Sequence, residues 1–210
     1  MKSPIHTVVL AAGKGTRLGY PKAALVVQDQ WMLPVLMKAL RLGGATRITL
    51  VLSKESQQAI QNLGETGADA LILNPSPEDG RMSSVFLGIQ STQSEEALLI
   101  HPCDIPLLSP DVLLKMRRAW QREPNPQELF VRPVTSAGRG GHPLLIGADL
   151  VPKLQALPAG QNLRDFMRQH SERILNVTIP RDPGPFLDVN TPEQLQLLET
   201  LLHPDSCSPS

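Results

Sequence analysis

Short aliphatic and β-branched runs alternate with longer stretches of helical spacing through the first half of this chain, and that alternation narrows the fold more than any other feature. It is the pattern of βαβ units laid around a mainly parallel sheet. The spacing predicts strands over residues 5–10, 48–52, 70–73 and 97–101, and helices over 33–42, 53–63, 83–92 and 110–122. Beyond Gln127 the order changes to strands at 129–134 and 144–146, helical stretches at 149–157 and 162–170, a strand at 173–179 and a last helix from Thr191. The expected class is α/β, a mixed, mostly parallel sheet flanked by helices. Prolines cluster between these segments, at Pro75 and Pro77, Pro102 and Pro106, Pro124 and Pro126, and Pro180, Pro183 and Pro185, where turns are expected. With about 150 residues per domain as a guide, 210 residues read as one domain over 1–202, followed by a flexible tail at 203–210.

Composition removes several function classes. Lys+Arg and Asp+Glu both number 20 and the pI is near 7.0, so no bulk field steers the protein toward nucleic acid or an anionic bilayer. No nucleic-acid or membrane partner is expected. The two cysteines, Cys103 and Cys207, can build neither a disulfide framework nor a four-ligand zinc site, which fits a reducing compartment. The apolar runs are far shorter than the ~18 residues of a membrane span, and the opening segment falls short of a signal core, so the expected location is cytoplasmic.

In open α/β sheets ligands bind beyond the carboxyl ends of the strands, so the residues leaving each strand carry the functional argument. LAAGKGTRLGYPK (residues 10–22) leaves the first strand. Its glycines allow close backbone approach, and Lys14, Arg17 and Lys22 supply three cations with no acid among them, which suits a polyphosphate. It is neither of two familiar phosphate loops: no Gly-Lys-Ser/Thr of the Walker type occurs, and the third glycine of a dinucleotide fingerprint would fall on Leu18. HPCDIPLLSP (101–110) leaves the fourth strand and sets Asp104 between two prolines, as a turn aspartate or a Mg²⁺ ligand. FLDVNTPEQL (186–195) offers Asp188 and Asn190 as oxygen donors, while Thr191 and Pro192 read as a helix cap. In DGRMSSVFLGI (79–89), Gly80, Ser83 and Ser84 either open a helix or face a sugar and base.

Taken in order, these segments resemble the nucleotidyltransferases of the molybdenum-cofactor group. The first is similar to their L-A-A-G-x-G-x-R-x-G-x-x-K signature, and PCDIP, GRMSSVFLGI and FLDVNTPEQL match further segments of that family. GRGGHPLLI (138–146) resembles the Gly-His-Pro motif of the molybdopterin cytidylyltransferase branch. The resemblance implies a Rossmann-like nucleotidyltransferase (GT-A-like) fold and transfer of a nucleoside monophosphate from an NTP to a phosphorylated acceptor such as molybdopterin, with release of pyrophosphate. A recipient molybdoenzyme or its chaperone is the further partner it implies.

Carried over by residue, the resemblance implies a nucleotide site built from Leu10, Ala11, Ala12, Gly13, Lys14, Gly15, Thr16, Arg17 and Lys22, with Gly80, Ser83 and Ser84 at base or ribose. Asp104, with Asp188 and Asn190, would hold Mg²⁺ (or Mn²⁺). Arg17, Lys22, Asp104 and Asp188 form its catalytic set, and Gly141, His142 and Pro143 its acceptor side. Two positions depart from the family: Met or Gln often stands where Ile105 is, and Asp and Asn interchange at 188 and 190. In that family LAAG accompanies cytidylyl and LAGG guanylyl transfer, so Ala12 favours CTP over GTP. His142 reads equally as an acceptor-binding or a structural residue, and the other histidines show no ligand spacing. Three other readings stand beside this one. A sugar- or polyol-phosphate nucleotidyltransferase would lack the Gly-His-Pro segment, and a glycosyltransferase would need an Asp-x-Asp motif where Cys103-Asp104-Ile105 stands. A non-catalytic nucleotide-binding regulator would release no pyrophosphate.

Overall fold

The structure, a computed structural model, describes residues 3–158 and 160–202. The strands are β1 Ile5–Ala11, β2 Val26–Val27, β3 Gln30–Trp31, β4 Arg47–Leu52, β5 Ala70–Leu73, β6 Ala97–Pro102, β7 Phe130–Val134, β8 Leu144–Ile146 and β9 Ile174–Thr178. The helices are α1 Met32–Leu42, α2 Lys54–Ile60, α3 Arg81–Ile89, α4 Pro110–Gln121, α5 Val151–Gln155, α6 Leu163–Gln169 and α7 Pro192–Leu202. Seven strands form one sheet in the order β5-β4-β1-β6-β8-β7-β9. β5, β4, β1 and β6 run parallel, β8 is antiparallel to both β6 and β7, and β7 runs parallel to β9.

The central strands are apolar on both faces because helices cover both. Along β1 the period of two sorts the side chains: Ile5, Val9 and Ala11 pack with α1 and α4 through Leu36, Met37, Met116 and Trp120. Val8 and Leu10 face the other way, onto Val85 and Ile89 of α3 and Phe166 of α6. A Cβ on Gly88 would lie 2.3 Å from the Val8 side chain, so this glycine lets α3 sit tight against β1. A third cluster joins Leu25, Val27 and Met32 to Leu187, Val189 and Leu198, tying the segment after the glycine loop to the start of α7. Four polar residues, His6, Thr7, Thr49 and His101, are fully buried within the sheet. The His6 ring bonds the Thr92 and Thr49 hydroxyls at 2.7 and 2.8 Å, and burial holds its pKa down to about 4.

The predicted elements are all present, with differences at their ends. α2 stops at Ile60, short of Leu63, and α3 begins at Arg81, two residues before Ser83. The helix expected over 149–157 divides into a 3-10 turn, Ala148–Leu150, and α5, whose second residue is Pro152. The β2–β3 hairpin was not expected. Its turn sets Gln28 and Asp29 at φ 47° and 64° without a glycine to announce it. His203, Cys207 and the expected flexible tail at 203–210 lie outside the described residues.

Candidate active site

Strand order reverses about β1, whose neighbours are β4 and β6, so the loops leaving β1 and β6 open side by side at the switch point of the sheet. The loop after β1 is the glycine-rich segment. Gly15 has φ +62°, and a Cβ there would stand 1.9 Å from the Tyr20 carbonyl oxygen, so only glycine closes this turn. Its own carbonyl accepts from the Leu18 and Gly19 amides at 2.9 and 3.0 Å. Gly13 has open space where a Cβ would be, and the chain then returns to Lys22 at the head of a short 3-10 turn.

The loop after β6 is held at every step. The Cys103 amide donates to the Leu10 carbonyl at 3.0 Å, His101 Nε2 donates to the Ile105 carbonyl at 2.8 Å, and the Asp104 carbonyl accepts from the Val189 amide at 2.7 Å. Burial drives the His101 pKa down to about 3, so the ring is neutral and serves the turn. Burial also pushes the Cys103 thiol far up, leaving it inert.

Three segments distant in sequence meet at one cation. Lys22 Nζ donates to Asp104 Oδ2 at 2.7 Å and to Asn190 Oδ1, and Asn190 Nδ2 donates to Asp188 Oδ2 at 2.5 Å. The Lys22 and Asp104 side chains are only 16% and 12% exposed. The sequence offered Lys22 no acid within its own segment; the fold supplies one by closing an ion pair across 82 residues. At the next turn Gln194 Oε1 accepts from the Asn190 and Thr191 amides while Thr191 Oγ1 accepts from the Gln194 amide, a reciprocal cap that fixes Asn190 at the entrance of α7.

Around this cluster lies a cleft of about 190 Å³, lined by Leu10, Ala12, Gly13, Lys22, Gly80, Ser84 and Asp104 among the expected residues. Arg81, Pro77, Pro102 and Cys103 complete it. Ala11, Lys14, Gly15, Thr16, Arg17, Ser83, Asp188 and Asn190 do not line it, the last two reaching it only through the Lys22–Asp104 pair. Arg17 and Lys14 are exposed on the outer turn of the loop, with no carboxylate within ion-pair distance among the described residues. Ser83 Oγ is bound to the Gly80 carbonyl at 2.8 Å. Asn74 Nδ2 donates to both serine hydroxyls, at 2.8 Å to Ser83 and 2.9 Å to Ser84. Asn74, which sequence reading passed over, follows β5 as a single amide with no spacing signal around it.

A second cleft of about 700 Å³ continues from the first and shares Leu10 and Arg81 with it. Gly141 and His142 line it, whereas Pro143 does not. Five arginines face it, Arg81, Arg132, Arg139, Arg164 and Arg168, without a carboxylate in the lining. Arg132 Nε is steadied by Asn176 Oδ1 at 2.8 Å, Arg139 lies over the Phe186 ring at 5.6 Å, and Arg168 pairs with Asp165 at 2.9 Å. Met82, Val85, Leu144, Leu163 and Met167 form an apolar wall between them. His142 is held near pKa 4, first by burial and then by the Arg81 charge, so it is neutral at pH 7 with an unsatisfied Nδ1.

Residues 7–174 match the MobA-like NTP transferase domain. The chain belongs to this family. Among its relatives, a molybdenum cofactor guanylyltransferase from Shewanella frigidimarina is 28% identical over 205 residues, spanning 95% of this chain and 98% of that protein. A molybdenum cofactor cytidylyltransferase from Escherichia coli K12 is 27% identical over 194 residues, spanning 91% and 93%. In three dimensions Rv0371c from Mycobacterium tuberculosis H37Rv superposes with a TM-score of 0.76 at 20% identity over 94% of this chain and 98% of its own. The same protein in complex with manganese superposes at 0.70, with 18% identity over 93% and 97%. The fold is thus the Rossmann-like one of the nucleotidyltransferases, as the sequence reading expected. No helix among the described residues is long and apolar enough to cross a membrane.

Proposed function

We propose that this family member transfers CMP from CTP to the phosphate of a molybdopterin-type acceptor and releases pyrophosphate. The observation that carries the reading is the junction of two unlike clefts. The smaller, at the switch point, combines open backbone at Gly13 with the Lys22–Asp104–Asn190 cluster and suits a nucleoside triphosphate. The larger joins an apolar wall to five arginines, which suits a heterocycle carrying an anionic group. Relatives named molybdenum cofactor guanylyl- and cytidylyltransferases support that acceptor.

In this reaction an acceptor phosphate oxygen bonds to the α-phosphorus as the bond to the β-phosphate bridging oxygen breaks, and pyrophosphate departs with the electron pair. The acceptor phosphate is already ionised at pH 7, so no strong base is needed. That agrees with His142, whose pKa near 4 makes it a weak base and a hydrogen-bonding partner for the acceptor. Arg17 and Lys14, exposed on the glycine loop, are free to fold over the triphosphate, and Ser84 and Gly80 lie beside the nucleoside.

The oxygen cluster that already attracts the Lys22 ammonium is a set of hard donors fitted to Mg²⁺ or Mn²⁺. Asp104 would hold the ion with Asn190 and Asp188, and when bound it supplies Lewis-acid polarisation of the phosphoryl group and neutralises the leaving pyrophosphate. For its part, Lys22 holds the negative charge of the triphosphate, and the braced turn 101–105 keeps the Asp104 carboxylate at the mouth of the cleft.

Base choice rests on Ala12, which is 7% exposed and lines the smaller cleft. Its methyl group leaves less room for a purine than glycine would. GTP is the second reading, favoured by the guanylyltransferase relatives. A panel of four NTPs with molybdopterin, read by pyrophosphate release, tests both. CTP is expected to give the highest kcat/KM. Ala12→Gly is expected to narrow the CTP preference without reversing it, since one methyl in a contact of this kind is worth only ~1–3 kcal/mol. A wild-type kcat/KM for GTP above that for CTP overturns the base assignment, and no pyrophosphate with any NTP overturns the transfer reaction.

A further inference from the structure

Among the described residues, Arg81 is the one cationic side chain that lines both clefts. It is the first residue of α3, entered from Gly80 at φ +91°, and α3 is pressed against β1 by the close contact of Gly88 with Val8. The start of α3 is therefore fixed beside the carboxyl end of β1, and Arg81 is exposed there. Among the described residues no carboxylate lies within ion-pair distance of it. Its charge reaches the larger cleft, where, after burial, it is the second cause that holds the His142 ring neutral. A guanidinium has donors enough to engage two phosphate groups together, which a lysine ammonium does less well.

We propose that Arg81 is a catalytic residue that bridges the two substrates, one edge of its guanidinium on the α-phosphate of the nucleotide and the other on the acceptor phosphate. This rests on the transfer reaction proposed above and adds to it the group that overcomes repulsion between the two anions. The acceptor oxygen then forms its bond to the α-phosphorus while the bond to the pyrophosphate oxygen breaks, and Arg81 stays charged and unchanged throughout. Of the arginines at the larger cleft, Arg132, Arg139 and Arg168 each have a protein partner, and Arg164, also facing that cleft, does not reach the smaller one.

The test uses the full chain with Arg81→Ala and Arg81→Lys. Turnover is measured with the NTP that wild type prefers and molybdopterin, and calorimetry measures binding of CTP with Mg²⁺ and of molybdopterin separately. Arg81→Ala is expected to lower kcat about 100-fold, to weaken each single-ligand affinity between about 2- and 10-fold, and to regain activity when guanidinium is added. Arg81→Lys is expected to fall between. A kcat within threefold of wild type, a loss confined to KM for one substrate, or a lowered melting temperature without guanidinium rescue overturns the assignment. If wild type releases no pyrophosphate with any NTP, the transfer reaction itself fails and the binding arm decides on Arg81. Weakening of both ligands upholds the bridge; weakening of one or neither overturns it.

Discussion

Asp104→Asn is expected to reduce turnover by ~10²-fold or more while the fold stays intact, by analogy with the loss of a single charge-stabilising group from an active site. The amide keeps the shape and one oxygen acceptor for Lys22, and the turn around it does not depend on the carboxylate. That turn is held by the His101 bond to Ile105, the Cys103 amide on Leu10 and the Val189 amide on Asp104's own carbonyl. What is lost is the negative charge at the centre of the oxygen cluster. Circular dichroism unchanged together with activity within threefold of wild type would show that Asp104 is only a turn residue. Asp188→Asn is the companion measurement. Asp188 reaches the cluster through the Asn190 amide, not through Lys22, so an amide oxygen in its place should cost less. Equal and complete loss in both variants would make the two aspartates a strict pair.

The parts of the site that could be read from sequence are those where one local feature constrains the chemistry. Gly15 belongs to such a feature, because the spacing of glycines reports a backbone turn, and the steric overlap with Tyr20 shows why that turn tolerates nothing larger. Asp104 is another, a charged residue between prolines at the end of an apolar strand. The parallel core was legible for the same reason: strands buried on both faces leave uninterrupted aliphatic runs, and β1 and β4 fall within one residue of the expected bounds. Arg81 left no comparable trace. A single arginine at a helix start has no period and no motif partner, and its meaning comes from two clefts that exist only once α3 is packed on β1. The β2–β3 hairpin escaped notice because each strand has two residues and its turn uses Gln28 and Asp29 in place of glycine. Nor could sequence separation reveal that Lys22 and Asp104 are paired.

That pairing sets the expectation for Lys22→Met. If Lys22 were a free loop cation, its removal would relieve repulsion with Lys14 and Arg17 and leave the apo protein as stable or more so. Paired with Asp104 in a largely buried position, its removal instead leaves a carboxylate without its counter-charge. The apo protein should therefore lose stability, read as a lower melting temperature, by an amount between the ~1 kcal/mol at most of an exposed pair and the ~3–5 kcal/mol of a fully buried one. Arg17→Ala, at an exposed side chain with no ion-pair partner among the described residues, should leave the melting temperature unchanged. Two further effects separate Lys22 from a purely structural residue. kcat/KM for the nucleotide should drop about 100-fold, because the charge facing the triphosphate is gone. Mn²⁺ binding to the nucleotide-free protein should tighten, because the ammonium that competes for Asp104 and Asn190 has been removed. Calorimetric titration with Mn²⁺ reads the last effect directly. Weaker Mn²⁺ binding in Lys22→Met would mean that the lysine organises the oxygen cluster instead of occupying it, and an unchanged nucleotide kcat/KM would remove Lys22 from the nucleotide site.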